Sequence, residues 1–120
     1  MSVPPFRATV AELGQLVSLV SVSGELDLYV EQALRAALAD ASKLYVRTVA
    51  VDLNGVTFLD STVCGVLVGA SKQLRDEGRE LVLVSNHPRV VRVLEVAGVD
   101  RVIRLFPTLH GALELLAQPV

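Results

Sequence analysis

Aromatic residues are scarce: three Phe, two Tyr and no Trp make up 4% of the 120 residues. The interior must therefore be aliphatic, and 52% hydrophobic content, mostly Val, Leu and Ala, is enough for one. Such a composition excludes disorder and fits an α/β core. Cysteine occurs once, as Cys64. An internal disulfide is thereby excluded, as suits a reducing compartment. Neither sign of charge dominates, with 11 Lys and Arg against 13 Asp and Glu and a net charge of −2. With no basic run and no basic–aromatic interleaving, a nucleic-acid partner is not expected. No apolar run reaches the ~20 residues that cross a bilayer. Met1 to Arg7, with Pro4 and Pro5, lacks the apolar centre of a secretory leader. The expectation is a cytoplasmic protein without a membrane partner.

Chemistry-bearing motifs are also few. Neither G-x-x-x-x-G-K-[ST] nor G-x-G-x-x-G occurs, so no nucleotide cradle is expected. His87, His110 and Cys64 lack metal-ligand spacing. No triad or paired-carboxylate constellation is visible, and Cys64 reads as a small buried thiol in a helix stripe rather than as a nucleophile. The expectation is a non-enzyme without cofactor or metal.

What is present is alternation. Arg7 to Val10 and Leu16 to Val22 read as strands joined by a turn at Leu13-Gly14, the second stopping at Ser23-Gly24. Val30, Ala33, Leu34, Ala37, Leu38 and Ala41 form a helical stripe. Thr48 to Leu53 reads as a strand buried on both faces, broken by Asn54-Gly55. Val63, Val66, Leu67, Ala70 and Leu74 line a second helix that ends at Gly78. Leu81 to Val84 is a further strand. Ser85-Asn86-His87-Pro88 opens a third helix with Val90, Val91, Val93, Leu94 and Ala97, ended by Gly98. Val102 to Leu105 is a last strand, and Thr108 caps a helix through Ala112, Leu113 and Leu116. The order β-β-α-β-α-β-α-β-α predicts a single α/β domain over 1–120. Its first strand pair is antiparallel and the rest parallel through right-handed crossovers.

In such a sheet, loops leaving the carboxyl ends of parallel strands share one side, the usual place for a site. Asp27, Asp60, Ser61, Thr62 and Asn86 fall on those loops. The sharpest feature is Phe58-Leu59-Asp60-Ser61-Thr62-Val63-Cys64-Gly65, with two hydroxyls where an apolar helix begins. A helix start tolerates phosphate through its free N–H groups and partial positive charge. Spacing alone favours the plainer reading, in which Asp60, Ser61 or Thr62 caps the helix. Gly65 and Gly69 read as close packing. Arg89, Arg92, Arg101 and Arg104 read as a solvated face.

The segment Val51-Asp52-Leu53-Asn54-Gly55-Val56-Thr57-Phe58-Leu59-Asp60-Ser61-Thr62 resembles the signature of STAS-domain anti-sigma factor antagonists. In these, a strand ending in D-L precedes F-[ML]-D-S-[ST]-G-L-G. Gly24-Glu25-Leu26-Asp27 resembles the family's G-E-[LI]-D motif, and element order and length agree along essentially the whole chain. The resemblance implies a STAS fold, a mixed, mostly parallel sheet of about five strands flanked by about four helices. It implies Ser61 as the phosphorylated residue, with Thr62 as the alternative. It also implies partner contacts near Asp27, Asp60, Ser61, Thr62 and Asn86. An anti-sigma factor serine kinase would bind the unphosphorylated form and release its sigma factor, and a metal-dependent serine phosphatase would reset the switch. Val63-Cys64-Gly65 departs from the family's Gly-Leu-Gly, and Val63 adds bulk beside the serine. The competing expectations are a structural STAS subunit of a lipid- or anion-transport assembly, a phosphoreceiver domain, and an enzyme using Cys64. The phosphoreceiver lacks its acidic pair at Ser23-Gly24 and its lysine at Phe106-Pro107.

Overall fold

A computed structural model describes residues 5–116. Its elements are β1 (Arg7–Leu13), β2 (Val17–Leu26), α1 (Glu31–Ser42), β3 (Thr48–Leu59), α2 (Ser61–Asp76), β4 (Glu80–Val84), α3 (Pro88–Val96), β5 (Arg104–Phe106) and α4 (Leu109–Leu116). Short 3-10 turns, Leu28–Val30 and Val99–Arg101, precede α1 and β5. The sheet runs β1-β2-β3-β4-β5 in spatial order. β1 is antiparallel to β2 and every later pairing is parallel.

Three crossovers that step the same way across a sheet place their helices on one face. That face carries Val20, Val51 and Leu83, which pack with Leu34, Leu38, Val63, Leu67, Val90 and Leu94 from α1, α2 and α3. On the reverse face Val17, Ala50 and Val82 form a smaller cluster, covered by Leu113 and Leu116 of α4. Burying β3 and β4 on both faces explains their unbroken apolar runs.

Several boundaries differ from the sequence expectation. β1 continues to Leu13, and β2 passes Ser23-Gly24 to end at Leu26. β3 passes through Asn54-Gly55 and reaches Leu59. Both extensions rest on two β-bulges: Ser21 to Ser23 spans Asp52 to Gly55, and Gly24 to Glu25 spans Val56 to Phe58. A bulge absorbs an extra residue and bends the strand without ending the ladder. Gly55 is required there because a Cβ would lie 2.8 Å from the Ser23 Cβ. β5 is Arg104–Phe106 because Val99–Arg101 takes up a 3-10 turn. Ala33 and Ala97 lie outside the buried stripes and are exposed. Gly65 and Gly69 are exposed too, and a Cβ at either would meet nothing within 4 Å, so neither serves close packing. In the arginine cluster, Arg104 pairs with Glu80 and lies over the Phe106 ring at 5.6 Å, while Arg89, Arg92 and Arg101 are exposed.

The helix exits expose one strained position. The chain leaves α2 and α3 on left-handed glycines, Gly78 (φ 73°) and Gly98 (φ 76°), but leaves α1 on Tyr45 (φ 53°). Arg79 holds this corner by donating to the carbonyls of Val46 (2.7 Å) and Ser42 (2.8 Å). The Tyr45 ring is 91% exposed and contributes little packing. Left-handed backbone costs a residue with a Cβ about 1 kcal/mol or more. Tyr45→Gly should therefore stabilise the domain by about 0.5–1 kcal/mol after glycine's unfolded-state entropy is counted. Urea unfolding with an unchanged m-value and a higher midpoint checks this.

Candidate functional site

The long halves of β2 and β3 end side by side. Leu26 pairs with Leu59, and the Asp60 N–H donates to the Leu26 carbonyl at 3.1 Å. Asp27 and Asp60 thus leave neighbouring strands at an interstrand spacing of about 5 Å. Each then caps the helical segment next in the chain. Asp27 Oδ1 accepts from the Tyr29 N–H at 3.0 Å and opens the 3-10 turn. Asp60 Oδ1 accepts from the Val63 N–H at 3.2 Å and is the N-cap of α2. Of the three capping candidates, Asp60 takes the role, so the two hydroxyls are spare.

Ser61 is the first residue of α2, and both Ser61 and Thr62 are exposed. Among the described residues, neither hydroxyl makes a hydrogen bond. The Val63 N–H is taken by Asp60, which leaves those of Ser61 and Thr62 at the open helix end. Glu25, Asp27 and Asp60 join no ion pair among the described residues, so this pole is acidic. It also carries exposed apolar side chains: Leu28 (57%), Tyr29 (87%) and Phe58 (47%). Sequence reasoning did not single these out as a surface. The available signal was position: Leu28 and Tyr29 directly follow one capping aspartate, and Phe58 lies two residues before the other.

Asn86 does not join this group. Its N–H donates to Asn54 Oδ1 at 2.9 Å, and the Asn54 N–H in turn donates to Asp52 Oδ1 at 2.9 Å. β4 ends at Val84 opposite Asp52, whereas β3 runs on to Leu59. Six residues of chain, up to about 20 Å when extended, therefore separate Asn54 from Asp60. Unequal strand length, which the turn chemistry of Asn54-Gly55 conceals in the sequence, sets Asn86 apart from the strand ends at Leu26 and Leu59.

Val63 lies inward. Its side chain is 0% exposed within the main core, so it adds no bulk beside Ser61. Cys64 is also buried. Desolvation first, and the Asp60 carboxylate second, push its thiol pKa up, which keeps it neutral and unreactive. The groove of about 340 Å³ between α1 and α2, floored by Val49, Leu74 and Leu81, holds none of the expected site residues. Among the described residues no cluster of His, Cys, Asp and Glu fits a metal ion, and no helix is long and apolar enough to cross a membrane.

The exposed helix-start serine, left unbonded by the aspartate cap, thus lies on an acidic and apolar surface. The STAS domain model matches residues 8–112. An anti-sigma-B factor antagonist of Listeria monocytogenes is 35% identical over 86 residues, 72% of this chain and 75% of the relative. The crystal structure of an anti-sigma factor antagonist from Mycobacterium paratuberculosis superposes with a TM-score of 0.87 at 29% identity, covering 95% of this chain and 96% of that one. Unphosphorylated SpoIIAA, an anti-sigma factor antagonist, shares the fold at a TM-score of 0.79, with 20% identity over 95% of this chain and 99% of its own. This chain belongs to the STAS-domain anti-sigma factor antagonist family, a family of regulators rather than enzymes.

Proposed function

We propose that this chain is a cytoplasmic anti-sigma factor antagonist whose binding is switched off by phosphorylation at Ser61. The observation that carries the reading is the exposed Ser61 hydroxyl beside the Asp60 cap, at the centre of the acidic and apolar pole. In the unphosphorylated form Leu28, Tyr29 and Phe58 supply apolar contact, and Asp27 and Asp60 set its charge. The partner is an anti-sigma factor that is also a serine kinase. It transfers the γ-phosphoryl of its own Mg·ATP to Ser61 Oγ: the new O–P bond forms as the bond between the γ-phosphorus and the β,γ-bridging oxygen breaks, ADP leaves, and the hydroxyl proton is released. The phosphate adds roughly −1.5 to −2 charges beside carboxylates already unpaired, and the docked state loses stability without refolding of the domain. A metal-dependent serine phosphatase restores the hydroxyl.

Asp27 is both cap and charge, and the Asn variant separates these roles. Asp27→Asn keeps an acceptor for the Tyr29 N–H, so its stability should stay within about 0.5 kcal/mol of wild type while docking weakens roughly tenfold. Asp27→Ala should lose the docking and about 1 kcal/mol of stability as well. Titration calorimetry and urea unfolding read the two effects; undiminished binding by Asp27→Asn would remove Asp27 from the interface.

The reading as a whole is tested by capture from native lysate on tagged wild type, Ser61→Ala and Ser61→Asp. An ATP-binding anti-sigma kinase should be retained by the first two and not by the third. Equal retention of one transporter subunit by all three would make this a structural STAS module with Ser61 as a bystander.

A further inference from the structure

The groove of about 340 Å³ between α1 and α2 reaches down to the sheet. Its floor is apolar, with Val49 of β3 and Leu81 of β4 side by side in register. Leu38 and Val66 stand as walls, one from each helix. A concave, mostly apolar space above about 300 Å³ has the size and character of a small-molecule site.

Gly69 lines this groove from the middle of α2. Glycine weakens a helix interior relative to alanine, so its presence there needs a reason. Close packing does not supply one, because a Cβ on Gly69 would meet nothing within 4 Å. Left-handed backbone does not either, since Gly69 is not among the positive-φ glycines. What the absent side chain does is keep the groove open.

An unbonded hydroxyl lies beside the floor. Ser18, Val49 and Leu81 form one row across β2, β3 and β4. Side chains of residues paired in this way share a face of the sheet at a strand spacing of about 5 Å. Ser18 is 0% exposed, and its Oγ makes no hydrogen bond among the described residues. A buried hydroxyl without a partner is costly, and a ligand that pairs with it recovers that cost. Charge at the rim, by contrast, is already matched. Arg35 pairs with Glu31 at 2.9 Å, and Glu77 with Arg79 at 3.0 Å. An ionic ligand would find no spare counter-charge there.

We propose that this groove is a binding site for a small, uncharged, largely apolar molecule with one hydrogen-bonding group that meets Ser18 Oγ. The apolar body lies on Val49 and Leu81 between the two helices, in the space that Gly69 leaves. Indole has this chemistry, with an apolar ring system and a single N–H that Ser18 Oγ can accept, and serves as the probe.

Titration of the isotopically labelled full chain with indole, followed by NMR, tests this. Amide signals of α1, α2 and the strands around Val49 and Leu81 should shift saturably, with a Kd below about 1 mM. 1-Methylindole, which lacks the N–H, should bind roughly fivefold more weakly. Indole-3-carboxylate, which brings an unmatched charge, should bind roughly tenfold more weakly. Gly69→Leu fills the groove and should weaken indole binding roughly tenfold, with a melting temperature no lower than that of wild type. Gly65→Leu makes the same exchange in the same helix outside the groove, and should bind indole as wild type does. Ser18→Ala removes the unpaired hydroxyl, so it should be at least as stable as wild type and bind indole roughly fivefold more weakly. No saturable shift up to about 1 mM indole overturns the proposal, as does undiminished binding by Gly69→Leu or Ser18→Ala, or equal binding of the carboxylate.

Discussion

Ser61→Asp should fold as the wild type does and bind the anti-sigma kinase roughly 100-fold more weakly, a loss of about 2.7 kcal/mol. The fold is spared because Ser61 is exposed and its hydroxyl holds nothing, while Asp60 already caps α2. A carboxylate in the first turn of a helix is mildly favourable, so thermal stability should be equal or slightly higher. The binding loss has a different origin. Glu25, Asp27 and Asp60 are unpaired at this pole, and a further charge must be desolvated among them when the partner docks. Aspartate carries less charge than phosphate, so the phosphorylated protein should bind more weakly still. Circular dichroism and a binding isotherm read the two halves separately. Unchanged affinity in the folded variant would count directly against the switch.

Val63→Gly, which installs the residue usual for the family, should destabilise the domain by roughly 2–4 kcal/mol. The valine side chain is 0% exposed among core residues that include Leu59 and Leu67. Its loss combines about 1.5 kcal/mol of apolar transfer with a cavity and with glycine's backbone entropy. Against a total stability of about 5–15 kcal/mol the variant stays folded at 25 °C but with a clearly lower urea midpoint. Val63→Ala should fall between the two. Because the side chain points away from Ser61, the rate of phosphorylation of folded Val63→Ala should match that of wild type. A valine that crowded the serine would give the opposite pair of results, faster phosphorylation and little change in stability.

Valine at this position also shows where sequence reading stopped. The pattern of element types was legible because the β3 and β4 runs and the α1 and α2 stripes have clear periods. Chain reversals at Gly78 and Gly98 were legible for the same local reason. Strand ends were not, because Ser23-Gly24 and Asn54-Gly55 carry the chemistry of a turn yet sit in bulges where neighbouring ladders hold them extended. That error had a consequence for the site. With β3 short, Asn86 belonged beside Ser61; with β3 reaching Leu59, it does not. The pairing of Asp27 with Asp60 survived because both lengthened strands end in register. Motif chemistry drew attention to Ser61, but the choice of Asp60 as the cap, and the Leu28, Tyr29 and Phe58 surface, depend on side-chain direction that spacing leaves open.

The most direct test of the switch is phosphotransfer itself. The purified chain would be incubated with the captured anti-sigma kinase and Mg·ATP, and its phosphorylated residues mapped by fragmentation mass spectrometry. The account predicts a single phosphate on Ser61, with no incorporation into Ser61→Ala. Phosphate on any other residue, or equal labelling of Ser61→Ala, would contradict it.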